Sequence, residues 1–351
     1  MQKFNSEILK LAREARFLTQ TELSKVLGVE QGTISKIEKN ILSVDEKLVS
    51  NISLALDFPI NFFYQDRKVN TVEGHYRRKL STSVKKMNQY VAQMTIAEWH
   101  FLKLMDEIEL PEIKLPVWEV TEDGGPSLCA KHLRDFWKLP KGRVTNLTKL
   151  IEDNGVVIIS LDLGDMSGFS TYINGSIPAI YVNSNSSPDR YRLTLAHELG
   201  HIILHFGKKV SQERDIEGEA YEFAIEFLVP ENNIRPYFTR VSIESLADLK
   251  SYWYVSMQAL LRYAKRLGTI TENQYKYLLI QMGTLGYRKN EPVNIPIERP
   301  ELITEIVNAY VNELGYSKDE LASVLQINKS ELERIYFGAN GRLKVMRGHL
   351  I

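Results

Sequence analysis

The chain has 351 residues, of which 44 are lysine or arginine and 44 are aspartate or glutamate, so its formal net charge is zero. This length suits two or three domains, and a hydrophobic fraction of 44% with 25% charged residues excludes disordered and fibrous proteins. No apolar run reaches the ~18 residues that cross a bilayer, and the single cysteine, Cys129, excludes an internal disulfide framework and a cysteine-rich zinc site. We therefore expect a soluble, cytoplasmic protein without a membrane partner.

Residues 18–40 predict two short helices joined by a tight turn. Thr19 and Glu22 have the spacing of a capping box at the start of the first helix, and Gly28 can make the turn. Polar residues then occupy the outer side of the second helix, from which side chains can reach the edges of DNA bases. The pattern therefore predicts a helix-turn-helix.

The same segment resembles the Cro/C1-type (XRE-type) family of DNA-binding domains, through TQTEL (19–23), GVEQG (28–32) and ISKIE (34–38). The resemblance implies a double-stranded DNA operator as partner. It also implies base contacts by Gln31, Gly32 and Lys36 and phosphate contacts by Gln20 and Ser35. Because Gly32 has no side chain, base recognition would rest on the other two residues. The alternative is a helical packing module that does not touch DNA.

Charge is distributed unevenly over this part of the chain. Residues 1–64 carry eight basic and eight acidic residues, whereas residues 65–90 carry seven basic and two acidic ones. A neutral helix-turn-helix binds phosphate weakly, so we expect a homodimer or additional basic contacts. Residues 65–90 form either a solvated linker or an arm on the DNA backbone, with a cluster around Tyr76 that comprises Arg77, Arg78, Lys79, Lys85 and Lys86.

From about residue 128 the pattern becomes mixed α/β, and its strongest motif is HELGH (197–201). A helix that begins after Ser187 would project His197 and His201 from one face, one turn apart, as two zinc ligands require. Glu198 is offset from them and can act as general base on the attacking water. The alternative is an amphipathic helix with two solvent-exposed histidines.

A catalytic zinc ion needs a third protein ligand and an open position. His205 lies two turns from His197, so one straight helix cannot bring all three histidines to one ion. The next predicted helix, residues 218–230, offers three glutamates among which spacing does not choose: Glu219, Glu222 and Glu226.

Residues 155–230 resemble the ImmA/IrrE family of zinc metallopeptidases, through SGFS (167–170), HELGH and EAYEFAIEFLVP (219–230). The resemblance implies a Zn2+ cofactor, peptide hydrolysis with Glu198 as base, and Glu219 as third ligand. Family members usually have asparagine where this chain has Tyr221, so the surroundings of the site differ. We also expect the predicted strand at 177–183 to be a sheet edge with which an extended peptide pairs.

The C-terminal segment 316–338 aligns with residues 18–40 at an offset of 298. Apolar residues coincide along the alignment, while Gln326 replaces the turn residue Gly28. One interpretation is a degenerate second helix-turn-helix used for dimerisation or docking. The other is the patterning that any pair of short helices shares.

Together these features predict an α+β chain of four segments. These are a helix-turn-helix domain (1–65), a basic helical linker (66–116), a zincin-like metallopeptidase domain (117–290) and a helical C-terminal unit (299–351). The predicted function is transcription regulation, of the kind found in phages or toxin–antitoxin systems, with cleavage of a repressor or other protein partner. The alternative is a non-proteolytic repressor or antitoxin-like regulator whose metallopeptidase-like domain only senses or binds a partner.

Overall fold

The computed structural model describes residues 3–67, 69, 83–208, 211 and 213–337. In the first half of the chain its helices are α1 (Ser6–Ala15), α2 (Gln20–Leu27), α3 (Gln31–Glu38), α4 (Glu46–Leu56), a 3-10 helix (Ile60–Tyr64), α5 (Val84–Leu104), α6 (Pro126–Phe136) and α7 (Leu147–Asp153). The strands are β1 (Val157–Leu161), β2 (Gly168–Ile173) and β3 (Ile177–Asn183).

The second half of the chain is helical. Its elements are α8 (Pro188–Leu204), α9 (Ile216–Leu228), α10 (Glu231–Ile234), a 3-10 helix (Arg235–Phe238), α11 (Ile243–Trp253), α12 (Met257–Arg266), α13 (Glu272–Thr284), α14 (Leu302–Asn312), α15 (Lys318–Leu325), α16 (Lys329–Leu332) and a π-helical turn (Glu333–Phe337). Many helices with one small sheet confirm the predicted α+β class. Among the described residues, no helix has the length and apolarity needed to span a membrane.

Contacts divide the chain into two compact units. The first comprises Met1–Leu110, Ile159–Met166 and Glu301–Ile351, and the second comprises Pro111–Ile158 and Ser167–Pro300. The C-terminal helices therefore belong to the same unit as the N-terminal ones. The four segment boundaries expected from the sequence stay predictions.

In the first unit, α2 and α3 form the predicted helix-turn-helix. The Thr19 hydroxyl accepts from the Glu22 N–H at 3.1 Å, and the Glu22 carboxylate accepts from the Thr19 N–H at 2.6 Å, which confirms the capping box. Gly28 ends α2 in the left-handed conformation, with φ of 67°, which a residue without Cβ adopts readily. The pair is held together by a core that includes Leu23, Ile34, Ile37 and Phe62, all buried.

The C-terminal helices of the same unit repeat this local geometry. Ser317 and Glu320 form another capping box, and Gln326 takes the left-handed conformation (φ 55°) at the position that matches Gly28. Buried apolar side chains from α14, α15 and α16 pack around Leu104, at the end of α5. A helical C-terminal region is thus present as predicted, although residues 338–351 lie outside the described part of the chain.

The three strands form a sheet in the order β1-β3-β2. β2 and β3 are antiparallel, with a register that runs from Gly168 opposite Val182 to Ile173 opposite Ile177. The expectation that residues 177–183 form a sheet edge is wrong, because β3 has a neighbour on both sides and β2 is an edge strand. The nearly continuous burial of IPAIYVN (177–183) agrees with this central position.

Candidate metal centre and nucleic-acid interface

The two histidines of HELGH lie one turn apart on α8 and converge with a carboxylate from α9. The Nε2 atoms of His197 and His201 are 3.1 Å apart, and the Glu217 carboxylate oxygens lie 3.4 Å from the first and 3.6 Å from the second. Two ligands at ~2.1 Å from a tetrahedral ion stand roughly 3.4 Å apart, so these spacings suit one zinc ion. Among the described residues, these three form the group that could hold a metal.

Close packing of α8 against α9 brings these ligands together, and Gly200 makes that packing possible. A Cβ at position 200 would lie 2.9 Å from Phe223 Cδ1 and 3.3 Å from the Ala220 Cα. Even a methyl group at position 200 would be too close to Phe223 and Ala220 of α9. The glycine inside HELGH therefore determines how closely the start of α9 approaches the histidines.

Glu198 is buried beside the two histidines and is oriented by the edge strand β2. The Ser170 hydroxyl donates a 2.8 Å hydrogen bond to Glu198 Oε2. β2 approaches α8 closely because Gly168 has no side chain, and a Cβ there would lie 2.5 Å from Thr194 Cγ2. Burial raises the pKa of Glu198, although His197 and the Ser170 hydrogen bond act in the opposite direction. Reasoning from residue spacing missed Ser170, which only the resemblance indicated as part of SGFS.

The structure does not bring Glu219 to the histidine pair. Its carboxylate lies 3.0 Å from His205 Nε2 and accepts from Arg214 Nε at 2.9 Å. Residues two apart on a helix point in directions about 200° apart, so Glu217 and Glu219 cannot face the same ion in one straight α9. Burial would raise the pKa of Glu219, but the hydrogen bonds from Arg214 and His205 outweigh it and lower the pKa below its usual value.

His205 connects these two carboxylate environments. Its Nδ1 lies 2.9 Å from His201 Nδ1, so a row of polar contacts runs from His201 through His205 and Glu219 to Arg214. Spacing arguments missed both Glu217 and Arg214, because they considered only the glutamates from residue 218 onward. The cluster of acidic residues in the first turn of α9 was the signal that could have found Glu217.

The other two glutamates that spacing left open are engaged elsewhere. Glu226 is buried, and it accepts hydrogen bonds from the Tyr263 hydroxyl at 2.6 Å and the Glu231 N–H at 3.1 Å. Glu222 accepts from the Ser127 hydroxyl at 2.7 Å. Neither residue faces the histidine pair.

The candidate DNA contacts lie at the surface of the first unit. Gln31, Gly32 and Lys36 are exposed on α3, Ser35 is half-buried, and a Cβ at Gly32 would meet nothing within 4 Å. Gln31 Nε2 donates to Gln20 Oε1 at 2.7 Å, which joins the start of α3 to the start of α2. The structure thus brings one candidate base contact and one candidate phosphate contact together.

Part of the basic cluster predicted beside the helix-turn-helix lies outside the described residues, namely Tyr76, Arg77, Arg78 and Lys79. Lys85 and Lys86 lie in the first turn of α5. Lys86 pairs with Asp165 at 3.1 Å, whereas Lys85 is exposed near the start of α2.

Comparison with known protein families gives two matches. The family model of the IrrE N-terminal-like domain matches residues 151–265, which include all three strands, α8 and α9. The Helix-turn-helix family model matches residues 9–63, which include α2 and α3. No curated protein matches the chain.

Proposed function

Since the chain joins an XRE-type helix-turn-helix to an IrrE-like peptidase domain, we propose that it is a DNA-binding transcription regulator that binds Zn2+ and cleaves a protein partner. The proposal rests above all on one observation, the convergence of His197, His201 and an acidic residue of α9 beside Glu198. A repressor is the partner that would couple such cleavage to transcription. A homodimer is proposed as well, because a neutral helix-turn-helix needs a second half-site contact.

The residues around the centre suit peptide hydrolysis. A bound zinc ion would supply a Lewis acid that activates water and polarises the scissile carbonyl. Glu198 takes the proton of the attacking water and delivers it to the leaving amine, because its carboxylate lies beside the histidines on the same helix. Ser170 holds one carboxylate oxygen of Glu198, so the orientation of this base is set before a substrate binds.

An extended substrate peptide would bind along β2. This strand has one neighbour in the described sheet, and it carries Ser170, whose hydroxyl contacts Glu198. A peptide that adds a strand to this edge would form backbone hydrogen bonds and place its carbonyl groups near the histidines.

Glu219 remains our proposed third ligand, with Glu217 as the competing assignment. Carboxylates that bind metals are themselves held by hydrogen bonds, as Arg214 and His205 hold Glu219. The Glu217 side chain is 40% exposed, although it stands nearer to the histidines. Zinc affinity should fall more than ~100-fold in Glu219→Gln, beyond the about 10- to 100-fold loss typical of a residue that only supports a ligand, and it should fall less in Glu217→Gln. The reverse order would assign the ligand to Glu217.

The catalytic proposal is tested with the zinc-loaded chain and its Glu198→Gln variant. Zinc content is measured by elemental analysis, and cleavage is measured by mass spectrometry on a peptide library prepared from a bacterial proteome. Both proteins should bind one zinc ion per chain, and only the wild type should produce new peptide termini. If the wild type binds zinc and DNA but cleaves nothing, the non-proteolytic, partner-sensing function replaces the peptidase.

Direct reading of DNA by α3 has a separate test. Gln31→Ala and Lys36→Ala should each weaken binding to an operator selected from random duplexes by about 1–3 kcal/mol, with relaxed specificity at one base position. Unchanged binding in both variants would contradict base recognition by these side chains.

A further inference from the structure

A pocket of about 60 Å3 lies between α5, the end of α1 and the C-terminal helices, and all of its lining residues belong to the first unit. Most of the lining is apolar and comes from several elements, with the side chains of Ala15, Phe58, Ile96, Ala97, Ile327 and Ile335. The two charged residues of the lining, Arg16 and Glu331, form an ion pair with each other. These described side chains therefore offer no uncompensated charge, and the pocket suits a neutral ligand.

Two polar residues of the lining, Gln93 and His100, share one face of α5 because they are seven residues, or two helical turns, apart. Ile96 and Ala97 lie between them on the same face and line the same pocket. A ligand that follows this face therefore meets a polar side chain at each end and apolar side chains in the middle.

The Gln93 side chain offers a hydrogen-bond acceptor. Its Nε2 donates to the Ala15 carbonyl at 3.0 Å, which fixes the orientation of the amide. Its Oε1 is buried and has no hydrogen-bond partner among the described residues. Because buried polar atoms in proteins are nearly always hydrogen-bonded, this oxygen favours a ligand that carries an O–H or N–H group.

His100 supplies the second polar atom. The residue is only 5% exposed and its Nδ1 lies 3.2 Å from the Tyr336 hydroxyl, while Nε2 is buried without a hydrogen-bond partner in the described part of the chain. Burial, with Arg16 and Arg67 nearby, lowers the pKa of His100 from 6.5 to about 4, so the ring is neutral at pH 7. The Nε2 of a neutral ring donates or accepts, depending on the tautomer, and a hydroxyl group can match either one.

We propose that this pocket binds a small neutral molecule with a hydroxyl group at each end of a short apolar chain. One hydroxyl donates to Gln93 Oε1, the other forms a hydrogen bond with His100 Nε2, and the carbon atoms contact the apolar side chains between them. The volume of about 60 Å3 limits the chain to a few carbon atoms, since a cavity of roughly 150 Å3 holds benzene. This face of α5 lies outside the two matched regions, 9–63 and 151–265, so the site goes beyond the proposed zinc and DNA binding.

The experiment uses the full chain with isotope-labelled histidine and follows the ring signals of His100 by NMR, after their assignment with His100→Gln. The probes are diols of two, three and four carbon atoms with terminal hydroxyl groups. At least one diol should shift the His100 signals saturably, with a Kd in the millimolar range expected for so few atoms. Butanol, which lacks the second hydroxyl, should bind about tenfold more weakly, and butyrate and butylammonium should cause no saturable shift.

Two substitutions test the assigned contacts. Gln93→Met removes Oε1 at a similar side-chain volume and should weaken diol binding about tenfold, as the loss of one hydrogen bond requires. Ala97→Leu fills the pocket between the two polar residues and should abolish binding. Glu98→Leu is the matched control, because it adds a leucine one residue away, outside the lining, and it should keep the wild-type affinity. Circular dichroism confirms that each variant is folded.

Three results would overturn the site. The first is the absence of a saturable His100 shift with every diol, which would mean that water alone occupies the pocket. The second is an equal response to the diols and to the charged compounds. The third is a loss of binding in Glu98→Leu that matches the loss in Ala97→Leu. None of these results would bear on zinc binding or DNA binding, because the measurement involves neither.

Discussion

Arg16, which follows α1, and Glu331, in α16, form a buried ion pair although they are 315 residues apart in the sequence. Both guanidinium–carboxylate contacts measure 2.9 Å. Arg16 also donates to the carbonyls of Leu56 and Asp57, and its guanidinium lies 4.2 Å from the centre of the Phe58 ring. Through Arg16, the C-terminal helices are tied to the ends of both α1 and α4.

The start of the second helix of the C-terminal pair contacts the N-terminal helices of the same chain. At an offset of 298, Asn328 and Glu331 match Glu30 and Thr33, at the start of the recognition helix α3. Glu331 contacts Arg16, and Asn328 Nδ2 donates to Asp57 at 2.6 Å. These contacts favour docking within the chain as the role of the second helix pair.

Removal of one partner of this ion pair should destabilise the first unit strongly. Glu331→Ala leaves a buried guanidinium without its counter-charge, which should cost about 3–5 kcal/mol in the free energy of unfolding. Denaturant unfolding followed by circular dichroism measures the loss. Glu333→Ala is the control, because that residue is exposed and its pairing with Lys318 should be worth less than about 1 kcal/mol. Similar losses in both variants would contradict a special role for the buried pair.

The stability of the first unit should depend on pH through His100. This residue is buried on α5, with Nδ1 3.2 Å from the Tyr336 hydroxyl, and desolvation lowers its pKa from 6.5 to about 4, with Arg16 and Arg67 adding to the effect. The folded state therefore keeps the ring neutral while the unfolded state binds a proton as pH falls below about 6.5. The free energy of unfolding should fall between pH 6.5 and 4, by up to about 3 kcal/mol.

His100→Gln should remove this part of the pH dependence, as measured by denaturant unfolding at several pH values. His132→Gln, at an exposed position, should keep the wild-type dependence. A His100→Gln profile that runs parallel to the wild type from pH 6.5 to 4 would rule out this histidine as the cause.

The approach of α8 to α9 can be tested at Gly200. Alanine at this position would place its methyl group 2.9 Å from Phe223, so the helices must separate, at a cost of about 1–3 kcal/mol in stability. Zinc affinity should also fall, because both histidines and the carboxylate of α9 depend on this spacing. Thermal unfolding and zinc titration measure the two effects.

The matched control is Gly32→Ala, since a Cβ at that helical position would meet nothing within 4 Å. It should leave zinc affinity unchanged and raise stability by up to about 1 kcal/mol, as glycine-to-alanine changes in exposed helices do. If Gly200→Ala proved as harmless as Gly32→Ala, the packing argument would be wrong.

A net charge of zero excludes only a strongly cationic DNA-binding protein. The structure shows why net charge is a poor guide to which basic side chains can contact DNA. Arg13 forms a buried ion pair with Glu38, and Arg16 forms one with Glu331. Lys86 is paired with Asp165 at the surface. Lys85, by contrast, is exposed near the start of α2. Which charges can reach a phosphate depends on these pairings, and composition does not contain them.

The sequence by itself determined the features that depend only on residues close together in the chain, within about one helix length. The capping box at Thr19, the left-handed turn at Gly28 and the placement of His197 and His201 on one helix face all follow from local geometry and spacing. The family resemblances, confirmed by the two matches, rest on the same short motifs.

Only the tertiary structure decided how separate elements meet. It made β3 a central strand, set Ser170 against Glu198, placed Glu217 nearer than Glu219 to the histidines, and joined Arg16 to Glu331. Each of these contacts links residues on different elements, whose approach is set by packing at positions such as Gly168 and Gly200. Side-chain periodicity specifies which face of an element is buried, but the partner of that face is chosen by the packing of the whole core.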